Sequence, residues 1–145
     1  MKKTDLAYTA GIVDGEGYIA IKKYGNKYGY RCSRVEVGNT NEWLINWLYF
    51  SFGGSKYEAK STKANPRARR YWKWYISSNE AVEFLKLIMP YIRIKRTQAE
   101  LALSFQGNKP SRGKNSKNSK DIEKRKAVEE AQAILMSSYH KEWET

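Results

Sequence analysis

Residues 9–23, "TAGIVDGEGYIAIKK", decide how the rest of the chain is read. Three glycines (Gly11, Gly15, Gly17) and two acids (Asp14, Glu16) fall within seven positions. The segment upstream has helical spacing: Thr4 or Asp5 can cap it, and Leu6, Ala10 and Val13 share a face. Glycine inside a helix costs roughly 1 kcal/mol relative to alanine, so its presence calls for a reason. Ala7, Gly11 and Gly15 lie four apart, which places them in one row along the helix. Such a row lets a second helix approach nearly backbone to backbone. No other segment of the chain offers a matching row, so the simplest partner is the same helix of a second copy, related by a two-fold axis. Ala10 and Asp14 flank the row and are assigned to the same interface.

Glu16 then ends the helix near that axis, close to its symmetry mate. The helix C-terminus is partly negative and disfavours a carboxylate, and two carboxylates repel each other. A divalent cation offsets both effects, and a metal-activated water can hydrolyse a phosphodiester. A solvated, helix-ending turn accounts for "DGEG" taken alone.

Outward from this segment, "GYIAIKKY" (17–24) and "YRCSRVEV" (30–37) alternate as strands around the turn 25–29. "NTNEWLINWLYFSFGG" (39–54) predicts a capped amphipathic helix with a Gly-Gly stop. A second hairpin is expected from "SKYEAK" (55–60) and "RRYWKWYIS" (69–77). Helices follow at 79–92, 95–106 and 121–139. The fold class is thus α+β, in the order αββαββα with extra C-terminal helices. Residues 1–106 form the core, 107–120 a basic flexible loop, and 121–145 a C-terminal helix and tail.

The chain has 145 residues, the size of one domain, and 41% are hydrophobic. Its 27 Lys and Arg against 15 acids give a net charge of +12, and the pI is near 9.7. That balance points to a polyanion, with nucleic acid ahead of an anionic membrane. One cysteine (Cys32) rules out an internal disulfide, and one histidine (His140) argues against a His-based metal site. Any metal is expected on oxygen ligands, which suits Mg²⁺ or Mn²⁺. No apolar run approaches the ~20 residues that span a bilayer, and the N-terminus lacks the apolar core of a signal peptide. Neither a membrane nor a small-molecule substrate is expected. The compartment is open among organelle, bacterial and phage interiors.

Beyond the signature itself, "AGIVDGEG" (10–17) resembles the LAGLIDADG homing endonucleases, with Thr9 in place of the leading Leu. The element order is that family's. "MPYIRIKRTQAELAL" (89–103) resembles a second family segment, and together these cover most of residues 5–106. A single signature copy looks like the homodimeric branch. The resemblance implies a homodimer that cuts both strands of a long pseudo-palindromic DNA site with Mg²⁺. It implies that Glu16 and the Gly15 carbonyl bind metal, that Asp14 serves structure at the helix end, that Asn39 orders water near the scissile phosphate, and that Lys95, supported by Gln98, stabilises charge in the pocket. A second basic pocket residue found in relatives has no clean match, since Glu42 and Trp43 stand there. A cleavage-inactive relative acting as an RNA maturase or transcriptional regulator is the alternative. A basic protein coating nucleic acid without site preference is the third.

In this reading one face of the sheet lies along the DNA major groove. Alternation assigns to it Tyr18, Ala20, Lys22 and Tyr24; Tyr30, Cys32, Arg34 and Glu36; Lys56, Glu58 and Lys60; and Tyr71, Lys73 and Tyr75. The last register is chosen to bury Trp72, Trp74 and Ile76. Arg34 and Lys22 suit guanine, and Glu36 suits cytosine. A strand of about 8 residues spans roughly 26 Å, or about 8 base pairs, so two protomers reach a site of roughly 20. Residues 107–126 carry eight Lys or Arg against two acids, half of the net charge, and are read as phosphate contacts.

Overall fold

A computed structural model of the chain describes residues 1–25, 29–59, 69–108 and 119–141. Expectations for the basic loop (most of 107–120), for Lys60 and for the centre of the first turn lie outside these residues. Helix α1 (Lys3–Glu16) passes directly into strand β1 (Gly17–Lys23), followed by β2 (Arg31–Asn39) and α2 (Glu42–Phe52). Then come β3 (Ser55–Ala59), β4 (Tyr71–Ser77), α3 (Ser78–Ile88), a single 3₁₀ turn at Met89–Tyr91, α4 (Arg96–Gly107) and α5 (Ser119–Lys141). The αββαββα order and the α+β class are those expected from the sequence.

The four strands form one antiparallel sheet in the order β1-β2-β4-β3. The two hairpins therefore meet through β2 and β4 at the centre. Alternation turns Ile19, Ile21, Val35, Val37, Trp74 and Ile76 to one face, where all are buried. Ala10 and Val13 of α1, Ile45 and Leu48 of α2, Phe84, Leu85 and Ile88 of α3, and Ala99 and Ala102 of α4 complete that core. Helix α5 lies along the β1 edge and against α4, and places Met136 in the same core. None of the described helices is long and apolar enough to cross a membrane.

Close approach to backbone requires glycine at positions 17 and 54, and at 54 a Cβ would stand 2.4 Å from the Tyr75 carbonyl oxygen. A Cβ on Gly17 would come within 2.7 Å of the Val13 Cα and carbonyl oxygen. The Gly17 N–H donates to that same carbonyl, so helix and strand join without a loop only if position 17 has no side chain. Gly38 has the Tyr71 phenol lying across it, where a Cβ would stand 2.0 Å from the hydroxyl oxygen.

The β3 register departs from expectation. Lys56 pairs opposite Trp74 and Glu58 opposite Trp72, so both side chains share the helix-side face and not the outer one. Ser55, Tyr57 and Ala59 take the outer face. The strand offers no apolar alternation to fix its face, and its register follows from pairing with β4. Lys56 lies within reach of α2, donating to Asn46 at 2.5 Å beside the Tyr49 and Phe50 rings. Glu58 pairs with Arg70, whose guanidinium lies over Trp72.

Gly17→Ala is expected to destabilise the fold by about 1–3 kcal/mol, since the new methyl meets backbone that cannot yield. Urea denaturation followed by circular dichroism measures it; an unchanged midpoint contradicts the tight junction.

Candidate functional site

The end of α1 is bonded to the entry of α4 through two side chains, Asp14 and Lys95. The Asp14 carboxylate accepts from the backbone N–H groups of Arg93, Ile94 and Lys95 at 2.9, 3.2 and 3.0 Å. It thereby ties the entry of α4 to the exit of α1. The Lys95 ammonium reaches back and donates to the carbonyls of Val13, at 3.0 Å, and Gly17. A cation at these carbonyls compensates the partial negative charge of the helix end. Burial pushes the Lys95 ammonium below the usual lysine range, and the nearby Asp14 charge works against that push. Gln98 is buried in the first turn of α4, directly after this junction.

Glu16 is exposed at the last position of α1. Its Oε2 accepts from Asn39 Nδ2 at 2.7 Å. The Asn39 Oδ1 in turn accepts from the Asn41 N–H at 2.7 Å, and the Asn41 side chain caps α2 through the Trp43 N–H at 3.0 Å. The carboxylate is therefore held from the start of α2. Asn39, expected to order water, is in this protein a direct partner of Glu16.

Glu16 and the Gly15 carbonyl are hard oxygen donors. Among the described residues no group of three or more His, Cys, Asp or Glu gathers to hold a metal. Mg²⁺ commonly takes only one or two carboxylates and fills its shell with water and substrate phosphates, so the donor set fits that ion. A groove beside this carboxylate runs between the exposed edge of α1 and the N-terminus of α2. Tyr8, Gly11, Gly15, Glu16, Asn39 and Trp43 line it, and no Lys or Arg is among its lining residues within the described part of the chain.

Ala7, Gly11 and Gly15 are exposed in one row, as expected, and a Cβ on either glycine meets nothing within 4 Å. Ala10, assigned to the same interface, is fully buried in the protomer core. Asp14 is committed to the α4 entry. Tyr8 and Trp43 line the groove with Gly11 and Gly15, and Phe50 lies further along α2. Tyr8 is 51%, Trp43 62% and Phe50 79% exposed, with Trp47 packed edge-on to Tyr8 and stacked on Trp43.

The outer face of the sheet carries Tyr18, Lys22, Arg34, Glu36, Tyr71, Lys73 and Tyr75, as alternation indicated. Three residues assigned to it offer little surface: Ala20, Tyr30 and Cys32 are 3–4% exposed. Tyr30 lies under the Arg125 guanidinium of α5, at 3.6 Å. Tyr24 is exposed past the end of β1. Lys22 and Arg34 both pair with Glu36, at 2.8 and 2.7 Å. Burial pushes the Glu36 carboxyl up, but the hydrogen bond from Lys22 and the charges of Lys22, Arg34 and Lys73 together hold it below the usual carboxylate range. Tyr57 joins this face through an edge contact with Tyr75. His140 of α5 stands 4.4 Å from the Tyr18 ring. Neither was anticipated: Tyr57 followed the misread β3 register, and nothing in the α5 sequence fixes where that helix docks.

No family model matches this sequence, and no curated protein matches it. Solved structures do. The chain superposes on the homing endonuclease I-CvuI in complex with DNA with a TM-score of 0.70, at 16% identity, covering 94% of this chain and 82% of that one. For the homing endonuclease I-TnaI the TM-score is 0.55 at 14% identity, covering 86% and 97%. For the archaeal intron-encoded homing endonuclease I-Vdi141I complexed with DNA it is 0.53 at 9% identity, covering 97% and 99%. At these identities the likeness concerns the fold.

Asp14→Ala strands three backbone N–H groups and frees the α4 entry. The expected cost is about 1–3 kcal/mol, read as a lower urea midpoint together with faster amide exchange at residues 93–95. Unchanged protection at those amides counts against the junction.

Proposed function

From a chain that has the fold of the LAGLIDADG homing endonucleases, we propose a site-specific DNA endonuclease that works as a homodimer and uses Mg²⁺. The observation that carries this reading is the pairing of open glycines with a held carboxylate. Gly11 and Gly15 have no steric reason inside the protomer, because a side chain at either would meet nothing. Each also weakens α1 by roughly 1 kcal/mol relative to alanine. A reason outside the protomer is a helix packed against that row, and the α1 of a second copy provides it. The row alone buries little apolar area. The exposed Tyr8 and Trp43 beside it add apolar area toward the roughly 800 Å² per partner of a standard interface.

In such a dimer each Glu16 stands near the two-fold axis with its rotamer fixed by Asn39. Glu16 and the Gly15 carbonyl would hold the cation. When bound, Mg²⁺ lowers the pKa of a coordinated water and polarises the phosphate. The chain's own residues do the remainder. Asn39 keeps one carboxylate oxygen oriented, and Asp14 with Lys95 fixes the helix end so that the metal-binding atoms do not drift. Lys95 brings positive charge to the end of α1, and Gln98 is buried in the first turn of α4 that follows it. The outer face of the sheet reads the major groove on either side of the cut through Tyr18, Lys22, Arg34, Tyr71, Lys73 and Tyr75, and Tyr57 joins them.

One observation favours the second reading. The groove beside Glu16 is lined by no basic residue among those described, and the Lys95 ammonium is engaged by the Val13 and Gly17 carbonyls. A protein of this fold that binds nucleic acid without cutting, as a maturase or a regulator, would tolerate that lack. The deciding assay is incubation with a duplex spanning the insertion locus of its coding region, with Mg²⁺. Discrete double-strand cuts support the endonuclease; retardation without cuts supports the binding protein.

Glu16→Gln is expected to abolish cleavage while leaving site-specific binding within a few-fold of wild type. Cutting at the wild-type rate contradicts the metal assignment. Gly11→Ala separates the two demands on α1. The protomer is expected to gain about 0.5–1 kcal/mol in helix stability while the dimer weakens. Sedimentation velocity across a dilution series reads the second effect, and an undiminished dimer rules out packing on the glycine row.

A further inference from the structure

A continuous string of contacts crosses all four strands on the outer face of the sheet. It starts at Tyr18 of β1, whose ring has the Lys22 ammonium 5.5 Å from its centroid. Lys22 pairs with Glu36 of β2 at 2.8 Å, and the same carboxylate oxygen takes Arg34 at 2.7 Å. The Arg34 guanidinium lies 3.6 Å from the centroid of the Tyr75 ring on β4, and Tyr75 meets Tyr57 of β3 edge-on at 6.2 Å. The string pivots on Glu36. Its side chain is only 14% exposed, whereas Lys22 keeps 42% and Arg34 25%.

An acid in the middle of a surface that meets phosphates weakens attraction to any DNA. Its presence therefore calls for a return elsewhere. Glu36 was expected to accept from cytosine, but here its carboxylate is already engaged by two cations. Arg34 is held from two sides, by its ion pair with the carboxylate, a charge contact without hydrogen-bond alignment at Nε, and by the ring at its flat face. The described residues give its Nη atoms no hydrogen bond. A guanidinium fixed in this way offers its outer edge in one direction. That is the geometry a base edge with two adjacent acceptors requires, as on guanine, and it is wasted on a phosphate that can be met at any angle.

We propose that Glu36 is a specificity-determining positioning residue: it fixes Arg34 and Lys22 for base reading and cancels part of the charge that would bind DNA of any sequence. The inference rests on the DNA-reading function proposed above. It follows the general logic that discrimination is gained by lowering affinity for wrong partners as well as by raising it for the right one.

Glu36→Gln keeps the shape and removes the charge. A site is first enriched by wild-type protein from a randomised duplex library, with a chelator present so that nothing is cut. Binding to that duplex and to a scrambled duplex is then measured over a range of salt. For the variant, affinity for the scrambled duplex is expected to rise several-fold, with a salt slope steeper by about 1. The ratio of specific to non-specific affinity is expected to fall roughly tenfold or more, the cost of one loosened base contact. Tyr75→Leu releases the other side of Arg34 without changing charge; it should lower the ratio and leave the slope alone. A DNA-free readout accompanies both: the order parameter of the Arg34 Nε–H bond in the unbound protein, high in wild type and lowered in Glu36→Gln and in Tyr75→Leu. If wild type enriches no site, the DNA-reading function fails and this inference with it. If wild type enriches a site and a folded Glu36→Gln variant keeps the wild-type ratio, the inference alone is overturned. A wild-type Arg34 order parameter in that variant overturns it as well.

Discussion

The Asp14 carboxylate, accepting three successive backbone N–H groups at the entry of α4, is the contact on which the remaining architecture depends. A helix C-terminus is an unfavourable place for acids, yet α1 ends on two of them. Asp14 is stabilised by donors that would otherwise be stranded at the start of α4. Lys95, positioned by the same bonds, returns a positive charge to the carbonyls of Val13 and Gly17. With this junction closed, Glu16 is the acid left to face outward. The division of labour between two acids two residues apart thus comes from what each one meets, since their chemistry is the same.

Much of this was legible in the sequence, because the signals were short-range. The glycine-acid cluster, the alternation of β1, β2 and β4, and the cap and stop of α2 each report local geometry. Ile19, Ile21, Val35 and Val37 fix the inner face of the first hairpin unambiguously. What failed was the reading of "SKYEAK", where neither face is apolar and register comes from a neighbouring strand. The assignment of Ala10 to an interface failed for a related reason: helical spacing gives the row but not the width of the buried stripe. The docking of α5 left no trace in sequence either. Its contacts with Tyr18, Tyr30 and Arg31 join residues about a hundred positions apart.

The outer face of the sheet and the candidate metal site are built on opposite principles. Around Glu16 a single hydrogen bond from Asn39 orients a carboxylate that is otherwise open. On the outer sheet Lys22 and Arg34 are already partnered within the protein. Tyr18 and Tyr75 have the Lys22 ammonium and the Arg34 guanidinium over their rings, and Glu36 ties two strands' worth of charge together. Such a surface loses little side-chain entropy when it docks, because much of the ordering has been done on folding.

The direct passage from Glu16 to Gly17 has an evolutionary corollary. A spacer between helix and strand would let the end of α1 and the sheet drift apart in length, each adjusting alone. Here one inserted residue would exchange the two faces of β1, sending Ile19 and Ile21 outward and Tyr18 and Lys22 into the core. The spacing between the Glu16 carboxylate and the first outward side chain of the sheet, Tyr18, is thereby set by covalent geometry. If the chain cuts and reads DNA as proposed, new target preferences would arise by exchanging side chains, or by length changes at the far ends of the strands, and not at the junction of α1 and β1.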